Sequence, residues 1–365
     1  MRPSCYRRTT RPPAVRAPGA IAFVIALGAC DAPFEPDEGP ISAPSRRVVS
    51  ASSVIDIGMP SGTVAARAFG VAPSGQVVGY ADGAGGVPRA FRWTSDLGFR
   101  ELPPAAGDVG AYAFAINSSG RVVGATVDAA GNVRAARWTG VSAPVIMAAL
   151  PGGVQAVALA ANESGYAAGI SIDGAGVTTG FFWNNGNTSS IGTLTGGTYS
   201  YASGINESIQ IAGFGDTPQG DRAFLWSRSG RRMTELGTFP NGGGSYALAL
   251  NDSSHVVGFA MTSAGASHAF LWKNDVLTDL GTLGGEHSVA YGISNAGEVV
   301  GYSQVANGEY HAFVWTAQSG MVDLGALPGG SVAYAQSINE TGEVAGIALD
   351  ANGVARAVRW SVVLQ

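Results

Sequence analysis

Apolar and polar positions alternate in short bursts along most of the chain. In the clearest stretch, 279–315, the runs DLGTLGG, HSVAYGISNAG, EVVGYSQVANGEY and HAFVW follow one another. Four apolar runs are set apart there by Gly and Asn. Each is long enough for a strand and too short for a helix. The pattern predicts four antiparallel strands joined by tight turns. The Asn-x-x-Gly elements at 117–120, 162–165 and 339–342 suit such turns, because Asn and Gly tolerate positive φ.

This unit recurs seven times. Trp93, Trp138, Trp183, Trp226, Trp272, Trp315 and Trp360 are spaced by 45, 45, 43, 46, 43 and 45 residues. Gly79, Gly124, Gly169, Gly213, Gly258, Gly301 and Gly346 are spaced by 45, 45, 44, 45, 43 and 45. Four strands in roughly 45 residues is the size of one propeller blade, whereas a β-solenoid coil needs a shorter period. The chain therefore reads as an all-β, seven-bladed β-propeller.

The ends of the repeat array point the same way. The segment VIDIG (54–58) aligns with the DLG runs at 279–281 and 323–325, while the last repeat stops at RAVRW (356–360) and SVVLQ. The last repeat lacks a DLG strand and the start of the array has one to spare. Pairing the N-terminal strand with the last blade closes a ring and removes two open sheet edges. In this order the DLG strand is outermost. The runs SYASGI (200–205), SYALAL (245–250) and AYAQSI (333–338) are innermost, and their small residues are expected around the axis. The VVG run comes next and the AFLW run third. Its Phe and Trp, two residues apart, share one strand face and are expected to fill the space between blades.

Composition fits this architecture. Glycine is 54 of 365 residues, about twice average usage, and charged residues are 13% against a usual ~25%. The 46% of apolar residues can build a core, and the seven Trp argue against a disordered chain. A net charge of −5 and a pI of about 5.4 exclude a basic nucleic-acid binder.

The first residues look like an address. Arg2, Arg7, Arg8, Arg11 and Arg16 precede the apolar run IAFVIALGA (21–29), with no acid among them. The run is shorter than the ~20 residues a membrane span needs, so it reads as a secretory signal. Leu27, Gly28 and Ala29 before Cys30 resemble a bacterial lipobox. The resemblance implies cleavage after residue 29, lipid on Cys30 and a membrane anchor through that lipid. Removal of 1–29 leaves 16 basic against 26 acidic residues, a net of −10, and takes away Cys5. Residues 30–53 are rich in Pro, Ser and acids without periodicity and read as a tether. The folded domain is expected over 54–365.

HAFLW (268–272) and HAFVW (311–315), together with DLGTLGG (279–285) and the Asn-x-x-Gly turn, resemble the HAF repeat of bacterial extracellular proteins. The resemblance covers 54–365. Other units depart from it, with RAFRW at 89–93, RAARW at 134–138, TGFFW at 179–183 and RAFLW at 222–226. It implies export and a repeat fold; it implies neither an activity nor catalytic residues.

The position four residues before each Trp holds Arg89, Arg134, Thr179, Arg222, His268, His311 and Arg356. Six of these seven are basic, and a ring fold sets them in a circle. Two readings stand. The circle could bind an acidic polysaccharide, since Arg matches carboxylates bidentately. Alternatively each side chain could span to turn carbonyls or to the acids Asp56, Glu101, Glu235, Asp279 and Asp323. No metal-ligand spacing, cofactor motif or nucleophile signature is legible. Glu286 and His287, the best acid–base pair outside the repeat pattern, read as a solvated loop. The Gly-to-Trp spans are 14, 14, 14, 13, 14, 14 and 14 residues, so the blades carry almost no grafted loops. The expectation is an exported, lipid-anchored monomer that binds a polysaccharide or a surface protein without catalysis, takes no cofactor and does not bind nucleic acid. The alternative is a carbohydrate-active hydrolase or lyase with its site near the axis.

Overall fold

The computed structural model describes residues 48–365. The expected signal, 1–29, the expected lipidation site Cys30 and most of the expected tether lie outside the described residues. Among the described residues, helical structure is confined to one 3-10 turn, Ala84–Gly86.

Seven antiparallel sheets follow one another in chain order. Blade 1 shows the pattern: Thr63–Val71, Val77–Gly83, Pro88–Thr94 and Gly98–Glu101 lie side by side in sequence order. Blades 2 to 6 repeat it over 108–146, 153–190, 200–235, 245–279 and 284–325. The first strand of each blade touches the first strands on either side, including Ala333–Ile338 of blade 7 against Thr63–Val71 of blade 1. The molecule is a closed seven-bladed β-propeller, and the strand order from axis to rim is the one the sequence predicts.

Closure uses the head of the chain. Blade 7 supplies Ala333–Ile338, Glu343–Leu349 and Ala355–Leu364, and its outermost strand is Ile55–Gly58. Ile55 stands opposite Arg359 and Asp56 opposite Val358. A second N-terminal strand, Val48–Ala51, pairs with the far half of Ala355–Leu364. The ordered sheet thus begins inside the segment 30–53 read as a tether. The reason is length: no turn ends the third strand of blade 7 after Trp360, so it runs on and presents backbone that Val48–Ala51 pairs.

The space between blades is filled as the Phe/Trp pattern predicts. Phe270 and Trp272 of blade 5 pack on Ala212, Ala223 and Leu225 of blade 4, and Phe313 and Trp315 of blade 6 pack on Val257, Ala269 and Leu271 of blade 5. Six of the seven Trp are buried; Trp93 is half-buried.

The axis differs from expectation. Alanines of the innermost strands, among them Ala66, Ala111, Ala156, Ala202 and Ala247, do sit buried between blades. The alternate positions carry larger side chains instead, Tyr112, Phe114, Val157 and Tyr201 among them, and rings of the second strands, Tyr80 and Phe214, lie beside them. Tyr80, Tyr112, Phe114, Tyr201 and Phe214 belong to one apolar cluster that runs through blades 1 to 4, with Phe69, Tyr199 and Tyr246 packed against it. Period-two alternation explains the split, because the small residues turn to the neighbouring blade and their sequence neighbours turn to the axis. Seven strands leave a channel wide enough to need large side chains.

The glycine series has its cause in a β-bulge. In every first strand the register slips by one residue, at Phe69, Phe114, Leu159, Ser203, Leu248, Tyr291 and Gln336. The residue before the slip pushes its partner strand, and a Cβ on Gly258 would lie 1.9 Å from the Tyr246 carbonyl oxygen. The same clash recurs at Gly79, Gly124, Gly169, Gly213, Gly301 and Gly346 at 1.9–2.1 Å.

Candidate functional site

Six of the seven repeat positions before the Trp carry a cation or a His, and each is engaged within the fold. Arg89 Nη2 lies 2.6 Å from Glu101, His268 Nδ1 2.7 Å from Asp279, His311 Nδ1 2.8 Å from Asp323 and Arg356 Nη2 2.9 Å from Asp56. These four reach the acid of the outermost strand. Arg134 instead pairs with Asp108 at 2.6 Å, at the start of its own first strand. Arg222 turns away from Glu235 and donates to the carbonyls of Asp221 at 2.8 Å and Gln219 at 3.2 Å. The circle therefore fastens third strands to outer strands and turns. An acid docking there meets side chains that already have partners in the fold, carboxylates for five of them and backbone carbonyls for Arg222.

A different set of side chains converges on the axial mouth, on the face that carries the turns between second and third strands. Asp221 stands at the start of the third strand of blade 4, Gly220–Ser227. Tyr199, just ahead of the first strand of blade 4, donates its phenol to Asp221 Oδ1 at 2.8 Å. Tyr246, on the first strand of blade 5, donates to Asp221 Oδ2 at 2.7 Å. One carboxylate thus bridges two phenols and two blades. Behind it, Tyr246 stacks on Phe259 at 4.6 Å and meets Phe214 edge-on at 5.1 Å, and Tyr201 stacks on Phe214 at 4.9 Å.

Rings continue around the mouth. Tyr80 meets Tyr112 edge-on at 4.8 Å, and the Arg67 guanidinium lies over Tyr80 at 5.4 Å while pairing with Asp82 at 2.7 Å. On the far side, Tyr302 packs against Tyr334 at 4.8 Å and against Tyr310 at 5.6 Å. Tyr80, Tyr112, Tyr199, Tyr201, Tyr246, Tyr291, Tyr302, Tyr310 and Tyr334, nine of the eleven tyrosines, belong to this belt. Burial pushes the Tyr112 phenol up to about 12. Tyr199 and Tyr246 are raised further, first by burial and then by the hydrogen bond to the Asp221 carboxylate. These phenols are neutral donors at physiological pH.

Sequence reasoning missed Tyr199, Asp221 and Tyr246. The signal available to it was Tyr199 and Tyr201 at alternate positions of TYSYAS and Tyr246 beside Ala247 in SYALAL, which marks the face opposite the alanines. Of the non-repeat pair, His287 is buried at 4% exposure, not set in a solvated loop, and Ser267 donates its backbone N–H to His287 Nδ1 at 3.2 Å. Among the described residues no group of three or more His, Cys, Asp and Glu side chains is placed to hold a metal ion.

No family model and no curated protein matches the chain. Solved structures do. An oligogalacturonate lyase in complex with manganese superposes with a TM-score of 0.59 at 11% identity, over 89% of this chain and 97% of that one. The oligogalacturonate lyase of Vibrio parahaemolyticus gives 0.59 at 11%, over 86% and 98%. A puromycin-hydrolyzing peptidase of Mycobacterium tuberculosis gives 0.58 at 14%, over 84% of this chain and 54% of that one. The likeness is one of fold alone. At these identities a shared scaffold carries no shared chemistry.

Proposed function

We infer that this chain is an exported, lipid-anchored HAF-repeat propeller that works as a non-catalytic binding module, with a polysaccharide as its partner at the axial mouth. The observation that carries this reading is the Tyr199–Asp221–Tyr246 bridge in a belt of aromatic rings. A sugar ring offers C–H faces that pack on aromatic rings and hydroxyls that bond to carboxylates and phenols, and the mouth brings both together. Export and anchoring rest on the basic stretch, the apolar run and Leu27-Gly28-Ala29-Cys30. The anchor holds the propeller at a bacterial membrane, and the acidic net charge keeps it off anionic lipid and nucleic acid.

Glycan arrays carrying neutral and acidic polysaccharides test the reading. Retention without product release is expected. Tyr246→Phe and Asp221→Asn should each weaken retention about tenfold, about 1.4 kcal/mol, with melting temperatures within a few degrees of the parent. Unchanged retention in both variants would reject the mouth as the site. Shortened sugar products would favour a hydrolase or lyase instead.

A further inference from the structure

Near the face opposite the mouth, each blade turns two matching positions toward the next blade. One stands at or just before the start of the second strand, the other on the third strand. They lie diagonally across the ladder, within reach of each other for long side chains. In blade 2 both are arginine. Arg121 begins Arg121–Asp128 opposite Thr139, and Arg137 lies on Val133–Thr139 opposite Val123. Val123 packs with Trp183 of blade 3, so both arginines share the face turned to that blade.

The other gaps either match charge at this place or avoid it. In blade 7 the two positions are Glu343 and Arg359, an ion pair at 3.3 Å. In blade 1 they are Gln76 and Arg92, and Arg92 donates to the Gly120 carbonyl of blade 2 at 2.9 Å. In blade 3 they are Tyr166 and Phe182, ring against ring at 5.6 Å. In blades 4, 5 and 6 the third-strand position is apolar: Leu225, Leu271 and Val314. Among the described residues, blade 2 alone brings two cations together here.

Both guanidiniums are held in place. Arg137 lies over the Trp183 ring of blade 3 at 5.0 Å. Arg121 reaches the next turn of blade 3 and lies against Gly165, where a side chain would collide with it. Both are half-buried. The Arg137 guanidinium sits below the ordinary arginine value, first through burial and then through the Arg121 charge. Neither side chain forms an ion pair or donates a hydrogen bond among the described residues. The acid of the facing turn, Glu163, is engaged elsewhere: it accepts the Ser118 N–H at 2.8 Å and the Ser118 hydroxyl. Two like charges held side by side repel, more so as burial lowers the local dielectric. An anion between them reverses that repulsion and takes up N–H groups the protein leaves open.

We propose that the Arg121–Arg137 pair binds a phosphate group, free or at the end of a monoester. Each guanidinium offers a planar fork of donors that matches an oxyanion bidentately. A phosphate monoester carries about −1.5 to −2 charges at neutral pH and balances both cations. A carboxylate or a phosphodiester carries one charge and leaves half of the repulsion standing. The site does not rest on the axial reading, being on the other face and formed by other blades.

Isothermal calorimetry on the purified full-length protein tests it, in chloride at fixed ionic strength and pH 8. The probes are inorganic phosphate, methyl phosphate, dimethyl phosphate and acetate. Phosphate should bind and raise the melting temperature, with dimethyl phosphate and acetate at least tenfold weaker. Methyl phosphate binding alongside it opens the site to a monoester end; its exclusion restricts the site to the free ion. Arg121→Gln and Arg137→Leu introduce the pair that blade 4 carries at these places, Gln210 and Leu225, so the fold has a precedent for both. Each should weaken phosphate at least tenfold and remove its effect on melting, while Tyr246→Phe on the far face leaves the affinity unchanged. Absence of both heat and melting shift with phosphate overturns the proposal. So does acetate or dimethyl phosphate binding as tightly as phosphate, or unchanged affinity in either arginine variant. Phosphate binding lost in Tyr246→Phe, or seen only in Glu163→Gln, also overturns it: the first assigns the anion to the mouth, the second makes Glu163 the counter-ion of the pair.

Discussion

At the scale of single residues, the repeat is held by side chains that do two jobs at once. Asn162 lies buried at the turn between first and second strands. Its Oδ1 accepts the Tyr166 N–H at 2.9 Å, closing its own turn, and its Nδ2 donates to the Asn206 carbonyl of the next blade at 3.1 Å. Asn117, Asn206, Asn251 and Asn339 repeat the inter-blade bond at 2.8–3.0 Å. The sequence marks these turns, but for another reason: positive φ falls on Gly120, Gly165 and Gly342, and the Asn acts through its amide. Asn162→Ala should cost about 2–3 kcal/mol, because two hydrogen bonds go and the part-buried Tyr166 N–H loses its acceptor. Asn162→Asp should cost more, although it keeps the acceptor. It sets a carboxylate oxygen against the Asn206 carbonyl in a buried site. Urea melts of both variants decide it: an Asp variant as stable as the Ala variant would show that the amide makes no essential bond across the blades.

At the scale of strands, the order within a blade was legible and the bulge was not. Period and turn residues place four strands, and the Phe/Trp spacing assigns one face to the blade interface. A one-residue slip in the first strand leaves no mark of its own, because Phe69, Leu159, Ser203 and Gln336 at the slipped position share no chemistry. Its imprint falls on the partner strand, as the Gly that recurs in every repeat. Two glycines separate the effects of crowding and of backbone conformation. Gly258→Ala drives a Cβ to 1.9 Å from the Tyr246 carbonyl, a backbone atom that cannot swing away. It should destabilise by more than about 4 kcal/mol. Gly297 has a φ of +94° and nothing within 4 Å of its missing Cβ. Gly297→Ala should cost only about 1–2 kcal/mol, the strain of a left-handed backbone on an L-residue. Equal losses in thermal melts of the two variants would show that the close approach at Gly258 relaxes freely.

At the scale of the whole molecule, closure was legible because one strand was spare at the head and one was missing at the tail. The axial belt was not, since it exists only after seven blades meet. Rings at alternate positions of separate repeats say nothing about one another until the circle brings them into contact. The belt also sets how the fold responds to alkali. The phenols of Tyr80, Tyr112, Tyr199, Tyr201, Tyr246, Tyr291, Tyr302 and Tyr334 are all raised from their ordinary value near 10, chiefly by burial. Below pH 10 folded and unfolded chains alike keep these groups protonated, and stability is full. Above it the unfolded chain releases protons that the folded belt retains, so stability falls as pH rises toward the folded values, with Tyr112 reaching its own at about 12. Thermal melts between pH 8 and 12 should therefore be flat at first and drop steeply past 10. Tyrosinate absorbance of the native protein should lag that of the denatured chain until the ring opens, when the belt ionises together. Native tyrosinate rising at the same pH as in the denatured chain would mean that the axis is wet, and the mouth would then offer a partner water in place of packed rings.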